Sequence, residues 1–259
     1  MKTGENTSGV LSQNGIPLYH QLKEIFIEKI ASGEWEVGEI IPNEQLLTRY
    51  YGVSRGPVRQ ALDLLVREGL LTRKQGKGTQ VLPPKIESDL GGFYSFTTLI
   101  QNRGMHPSVQ MLAFDTVPAE GSVAHAFNLP TGSPCLKFRR LRLADQKPLI
   151  LETVFVPKSC CSDLTENDVI ARPLYDILTT RYGVVLQRQK QFFEPTIADE
   201  YEAQILGIPK GAPVLLLQII TYAVGDRPVV FSKAIMRGDR VRYYVELTTQ
   251  ISKSLGVAP

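Results

Sequence analysis

Residues 42–81 read PNEQLLTRYYGVSRGPVRQALDLLVREGLLTRKQGKGTQV, and this stretch decides the fold of the first third of the chain. Asn43 is suited to cap a short helix over residues 44–51 that Gly52 ends. Ser54 is placed to cap a second helix after a turn of about three residues, the spacing of a helix-turn-helix. Val58, Ala61, Leu62 and Leu65 recur at helical spacing and give that helix one buried face. Arg55 and Arg59, four apart, share a different face near its N-terminal end. Gly69 closes the helix. Residues 70–74 and 79–81 then read as two short strands around the turn Gln75-Gly76-Lys77-Gly78, a hairpin wing. Between Arg49 and Lys77 there are seven basic residues (Arg49, Arg55, Arg59, Arg67, Arg73, Lys74, Lys77) against two acidic ones, Asp63 and Glu68. The whole chain carries a formal charge of only +3, so positive charge is concentrated where a duplex would dock.

Working outward, residues 17–32 predict the first helix of the same module. Pro17 suits its first turn, and Leu18, Leu22, Phe26 and Ile30 form a four-residue stripe toward the other helices. Trp35 reads as a plug for this small core. The paired prolines of Leu82-Pro83-Pro84-Lys85 resist both helix and sheet and mark a stiff spacer. The organisation expected is a flexible arm over 1–15, a DNA-binding domain over 16–81, a linker over 82–90, a second domain over 91–248 and a flexible tail over 249–259.

Composition sets bounds around this reading. A chain of 259 residues suits two domains, and 43% hydrophobic residues support packed cores. No apolar run approaches membrane-spanning length, so no membrane partner is expected. The first fifteen residues are polar and lack the hydrophobic stretch of a signal peptide. Cys135, Cys160 and Cys161 are odd in number and two are adjacent, which argues against a disulfide framework and for the cytoplasm. His20, His106 and His125 are not at ligand spacing with a cysteine, so neither a metal site nor a cofactor is expected.

Beyond the spacer, strand-like runs dominate: 109–114, 136–143, 149–155, 186–193, 214–222, 229–235 and 243–248. Helical stretches are fewer, at 94–103, 122–127, 174–181 and 199–206. Two segments look like copies. Residues 128–134 (NLPTGSP) lead into strand, the turn Asp145-Gln146-Lys147-Pro148, and strand. Residues 207–213 (GIPKGAP) lead into strand, the turn Gly225-Asp226-Arg227-Pro228, and strand. Each follows a short helix. Adjacent turns rather than long crossovers imply an antiparallel sheet with helices on one side, an α+β domain.

The chemistry of this domain sits on its first hairpin. Phe138, Arg140 and Arg142 share one face of their strand, since side chains alternate with period two. A four-residue turn would bring Glu152 on the paired strand close to Arg140, whereas a two-residue turn would shift that register. Two neighbouring guanidiniums repel unless an anion or carboxylate lies between them. The group therefore reads either as a receptor for a carboxylate or phosphate, or as a solvated face balanced by Glu152.

The segments PLYHQLKEIFIEKIASGEWEVGEIIPNE, GVSRGPVRQALDLLVREGLL and RKQGKGTQV resemble the winged-helix DNA-binding domain of GntR-type transcriptional regulators. The resemblance implies a bacterial regulator that binds a palindromic operator as a homodimer. It places the main DNA contacts on Ser54, Arg55, Gly56, Arg59, Gln75 and Gly76. Arginine suits bidentate reading of guanine, and a helix N-terminus suits phosphate. Arg73 and Lys77, on or near the wing, are expected on phosphates. Gln45 stands where many relatives carry arginine, so a contact there is altered.

YSFTTLIQNRGM, LPTGSPCLKFRRLRLADQKPLILETVFVP, PLYDIL, ILGIPKGAPVLLL and AIMRGDR resemble the UTRA effector-binding domain of the HutC branch, whose fold is shared with chorismate lyase. The fold class implied is α+β, a winged helix-turn-helix followed by an antiparallel-sheet domain resembling chorismate lyase. The ligand residues of sugar-phosphate-binding members would fall on Ser95, Thr97, Arg140, Arg142, Glu152 and Tyr175. Pro173 stands where a serine is expected, Val230 where a glutamate is expected, and Met236 where a tyrosine precedes Arg237-Gly238-Asp239-Arg240. A pocket without those groups disfavours a polyhydroxylated sugar and favours a flatter or more apolar acid. The RGDR run reads as a structural turn with an internal Arg–Asp pair.

The function expected is a sequence-specific DNA-binding repressor whose operator affinity is modulated by a small anionic metabolite. The alternative is a chorismate-lyase-like enzyme with an attached DNA-binding domain. The second domain offers no Cys–His or Ser–His–acid pattern, no phosphate-binding glycine loop and no metal spacing, so no catalytic residue is assigned.

Overall fold

The computed structural model describes residue 11 and residues 15–89 and 96–246. The expectations for most of the N-terminal arm, for the C-terminal tail and for Ser95 lie outside those residues. The first unit contains α1 (Leu18–Ala31), α2 (Glu44–Tyr51), α3 (Arg55–Arg67) and the hairpin β1 (Leu71–Lys74) and β2 (Gly78–Val81). Asn43 caps α2 by accepting from the Leu46 N–H at 3.0 Å, and Gly52 ends it in the left-handed region. Ser54 holds the N-cap position of α3, but its hydroxyl makes no capping hydrogen bond. Val58, Ala61, Leu62 and Leu65 are buried with Leu22, Phe26, Leu47 and Trp35 in one core. Trp35 is indeed its plug, with its ring centroid 5.2 Å from that of Phe26. The stripe on α1 is shorter than expected: Leu18, in the first turn, is exposed.

The second unit opens with β3 (Ile86–Asp89), α4 (Phe96–Gln101), β4 (Pro107–Pro118) and α5 (Gly121–Phe127). The hairpin β5 (Pro134–Ala144) and β6 (Lys147–Pro157) follows, then α6 (Glu166–Ala171), α7 (Leu174–Thr180) and β7 (Leu186–Ile197). A second helix–hairpin, α8 (Glu200–Leu206), β8 (Pro213–Ala223) and β9 (Arg227–Arg237), leads to β10 (Val241–Tyr244). Six strands form one antiparallel sheet in the order β4-β5-β6-β9-β8-β7. The two copies, α5–β5–β6 and α8–β8–β9, meet along β6 and β9.

Helices cover both faces, not one. Helices α5 and α8 pack on one side, where Ala124 and Phe127 meet Cys135 and Phe231, and Leu206 meets Leu141 and Leu151. On the other side, Leu174, Ile177 and Leu178 of α7 and Val169 of α6 pack on Phe138 and Val154, while Ile100 of α4 packs near Ile150 and Leu217. The connections before β4 and before β7 are long enough to carry helices across, which a reading based on the hairpin copies alone does not capture.

The stretch expected as linker is mostly committed to the two units. The Leu82 N–H still donates to the Leu70 carbonyl at 2.9 Å, and Ile86 already begins β3, which runs parallel to β10. Only Pro83, Pro84 and Lys85 lie between them. The last strand also starts earlier than expected, at Val241.

Candidate functional site

On the first unit, Gln45, Ser54, Arg55, Gly56, Arg59, Gln75, Gly76 and Lys77 are all exposed. Ser54, Arg55 and Gly56 form the start of α3, where unsatisfied backbone N–H groups favour an anion. A Cβ on Gly56 would meet nothing within 4 Å, so its backbone is open to close approach. Gln60, which the sequence did not single out, lines a shallow groove on α3 with Gly56, Arg59 and Arg67; its spacing of four from Gly56 was the available signal. Neither Arg55 nor Arg59 has an ion-pair partner among the described residues, and the same holds for Lys74 and Lys77. Arg73 differs. It pairs with Asp63 at 2.6 Å and approaches Glu44 at 3.6 Å, tying the wing to α3 and α2. Its charge is largely answered within the fold.

On the second unit, the face of the sheet beneath α4 and α7 holds a cavity of about 130 Å³. Arg140 and Arg142 of β5 and Glu152 of β6 form its charged end. The Glu152 carboxylate oxygen Oε2 accepts from Arg140 Nε and Arg142 Nε, each at 2.8 Å. Arg140 is only 3% exposed and stacks its guanidinium 5.2 Å from the Phe138 ring centroid. Arg142 lies 5.3 Å from the ring centroid of Phe96, a cavity wall that the sequence reading passed over. Burial alone would raise the Glu152 carboxyl, but Arg140 and then Arg142 reverse this and hold its pKa at about 2. Burial, followed by the like charge of Arg142, lowers the pKa of Arg140.

A backbone irregularity makes this triad. The turn is two residues, Asp145-Gln146, both at positive φ as a type I′ turn requires. Uncorrected, that turn would set Arg140 opposite Leu151 and send Glu152 to the far face. A bulge intervenes: pairing moves from Leu143↔Pro148 to Arg142↔Ile150, leaving Leu149 over, and Arg140 pairs with Glu152. The second copy bulges at the equivalent place, from Tyr222↔Pro228 to Thr221↔Val230. There Ile219 pairs with Ser232 where the first copy pairs Arg140 with Glu152. One half of the cavity is therefore charged and the other neutral.

The neutral half contains Leu217, Ile219, Val230, Ser232, Ala234 and Met236. Val230 and Met236 are buried, and Pro173 lines the same wall. Tyr175 on α7 also lines the cavity, its hydroxyl 3.0 Å from the Thr221 hydroxyl and accepting from Gln189 at 2.9 Å. Thr97 is half-buried on α4, but its neighbour Phe96 forms the wall there. Ser232 and Tyr243 complete the lining without having been anticipated. Ser232 was detectable as the counterpart of Glu152 in the second copy, whereas Tyr243 depends on the β3–β10 pairing.

The two units meet at the Arg237–Arg240 turn. Arg237 grips Asp239 through two hydrogen bonds of 3.0 and 2.7 Å, the internal pair expected for RGDR. The same guanidinium donates to the carbonyls of Pro148 and Leu206. Gly69, at φ +76°, sits so tightly on this turn that a Cβ would collide with the Asp239 carbonyl. Lys85 Nζ donates to the Gly238 carbonyl at 2.7 Å.

Among the described residues no group of three or more His, Cys, Asp or Glu side chains is arranged for a metal, and no helix is long and apolar enough to cross a membrane. Residues 18–81 match the family described as bacterial regulatory proteins, gntR family, and residues 102–242 match the UTRA domain. The chain is 36% identical over 231 residues to the HTH-type transcriptional repressor NagR of Bacillus subtilis, spanning 89% of this chain and 95% of that one. It is 29% identical over 227 residues to the mannosyl-D-glycerate transport/metabolism system repressor MngR of Escherichia coli, spanning 88% and 94%. PhnF from Mycobacterium smegmatis has the same fold, with a TM-score of 0.62 at 24% identity over 90% of this chain and 100% of that one.

Proposed function

This chain belongs to the gntR family of bacterial regulatory proteins, carries a UTRA domain and is a DNA-binding transcriptional regulator; from that premise we propose a cytoplasmic, non-catalytic homodimer that represses from a pseudo-palindromic operator and is switched by a small anionic effector. In this reading Arg55 and Arg59 enter the major groove, with Ser54 and Gly56 at the helix start and Gln45, Gln75, Gly76 and Lys77 beside the backbone. Arg140, Arg142, Glu152, Tyr175, Val230 and Met236 receive the effector. Residues 16–81 act as the reader and 86–246 as the receiver, divided at the proline spacer.

The observation that carries the proposal is a buried triad of two arginines and one carboxylate at the end of an apolar cavity. Its uncompensated positive charge favours an anion. The turn that grips Gly69 follows directly on Met236 in the cavity wall, which supports a mechanical route from receiver to reader. A ligand acts through such a route only by its different affinity for two arrangements. No observation favours the enzyme alternative.

A single winged helix reads few base pairs, so specific binding calls for two copies on one site. Selection of bound duplexes from a random pool, with sedimentation of the complex, tests this. Paired half-sites carrying two chains are expected. A stable monomer, both free and on one half-site, contradicts the reading.

A further inference from the structure

Beside the cavity lies a second one of about 80 Å³, lined by Ile86, Ser88, Leu99, Leu149 and Val241 in addition to shared residues. Phe96, Ile150, Met236 and Tyr243 line both, so one layer of side chains is the partition between them. The partition is soft. Methionine adapts its shape readily, and Tyr243 donates its hydroxyl to Met236 Sδ at 3.0 Å, a weak acceptor. Among the described residues the second lobe is lined by no charged side chain and the first only by Arg140, Arg142 and Glu152, a net charge of +1. One negative charge neutralises that end. A phosphate monoester, close to −2 at neutral pH, leaves an excess of buried negative charge.

We propose that the effector is an apolar monoacid: one carboxylate on Arg142, with a hydrocarbon body that passes the Met236–Tyr243 partition into the second lobe. This rests on the anion-effector reading above and narrows it. A cavity near 150 Å³ holds benzene, so the two lobes together suit a body of about six to ten carbons. The second lobe also explains how the body is sensed. Its wall is the parallel pair β3 and β10, and β3 begins immediately after the proline spacer. Ile86 N–H donates to the Arg240 carbonyl at 2.7 Å, at the turn that Gly69 abuts. Filling this lobe therefore acts on the strands that hold the reader.

The test uses the full-length protein with acetate, hexanoate, octanoate and 3-phenylpropionate, against glucose 6-phosphate. Melting temperature and operator affinity are both measured. Each methylene that enters the cavity is expected to tighten binding roughly fourfold, so hexanoate and octanoate raise the melting temperature and shift operator affinity while acetate does neither. Leu99→Trp, which fills the second lobe from a half-buried position, is expected to weaken octanoate more than 3-phenylpropionate. Leu149→Phe checks the same loss from the opposite wall. A response to glucose 6-phosphate without one to the hydrocarbon acids overturns this inference and leaves the anion reading standing. Chain-length dependence that survives both substitutions also overturns it. No response to either class overturns the inference together with the reading on which it rests.

Discussion

Two arginine pairs define this molecule, and their surroundings are opposite. Arg55 and Arg59 project from α3 into solvent with no ion-pair partner among the described residues. Arg140 and Arg142 lie side by side on β5, largely buried and held by one carboxylate. Exposed arginines are easily accommodated by the fold and remain available for phosphate or guanine. Buried ones lose their hydration, and the structure must answer their charge from within. Losing a group should therefore damage binding in the first unit and stability in the second.

The sharpest break between the units is expected at Glu152. Glu152→Ala leaves two buried guanidiniums facing each other and should cost roughly 3–5 kcal/mol in a urea melt of the second unit. Ser232→Ala, its counterpart in the neutral half, should cost about 1 kcal/mol or less. The pH dependence follows from the carboxyl's position. Its pKa is depressed from 4.5 to about 2 on folding, so its stabilisation is complete above about 4.5 and is lost as pH falls toward 2. Glu152→Gln should flatten that acid limb. Equal stability of the Ala and wild-type proteins at pH 7 would show the triad to be solvated.

At the other pair, Arg55→Ala should cost roughly 1–3 kcal/mol of operator affinity and relax base preference. The stability of that variant should stay within the range of surface substitutions, about ±0.5 kcal/mol. If stability moves and affinity does not, the contrast fails.

The junction is a smaller target. Gly69→Ala forces an L-residue to a φ of +76°, costing about 1–2 kcal/mol before the collision with Asp239 is counted. It should loosen the two units and blunt any effector response while leaving each core intact, which separate probes of Trp35 fluorescence and second-unit unfolding can resolve. Smallest of all, Lys77→Ala should reduce the slope of log affinity against log salt by about 0.9. Arg73→Ala should change it less, since Asp63 and Glu44 already answer that charge.

Much of the first unit is legible because its signals are local. Asn43, Gly52 and the apolar spacing of Val58, Ala61, Leu62 and Leu65 act within one or two turns of chain. The Asp63 partner of Arg73 is not visible in a count of charges, because the two lie ten residues apart on different elements. In the second unit the strands and the repeat were legible from alternation and turn residues. Glu152 does lie beside Arg140 as expected, but through a two-residue turn and a bulge rather than a four-residue turn, and a bulge has no strong sequence mark. Strand β3 was hidden in the spacer because its partner, β10, lies 155 residues further along the chain at the Arg242–Glu87 ion pair. Helices on both faces escaped notice for the same reason: face is decided by long-range packing.

The central claim is that an anion on the buried arginines changes DNA binding. Replacing both arginines is a poor test, because Glu152 would remain as a buried charge without a partner. Arg142→Met is cleaner, since it leaves the Arg140–Glu152 pair balanced and removes only the excess positive charge. The measurement is operator titration of wild type and Arg142→Met, each with and without whichever of octanoate or glucose 6-phosphate stabilises the wild type more. The account predicts that wild-type affinity changes by roughly 5–150-fold, whereas the variant binds the operator as the free wild type does and ignores the anion. A variant that still responds in full would contradict it.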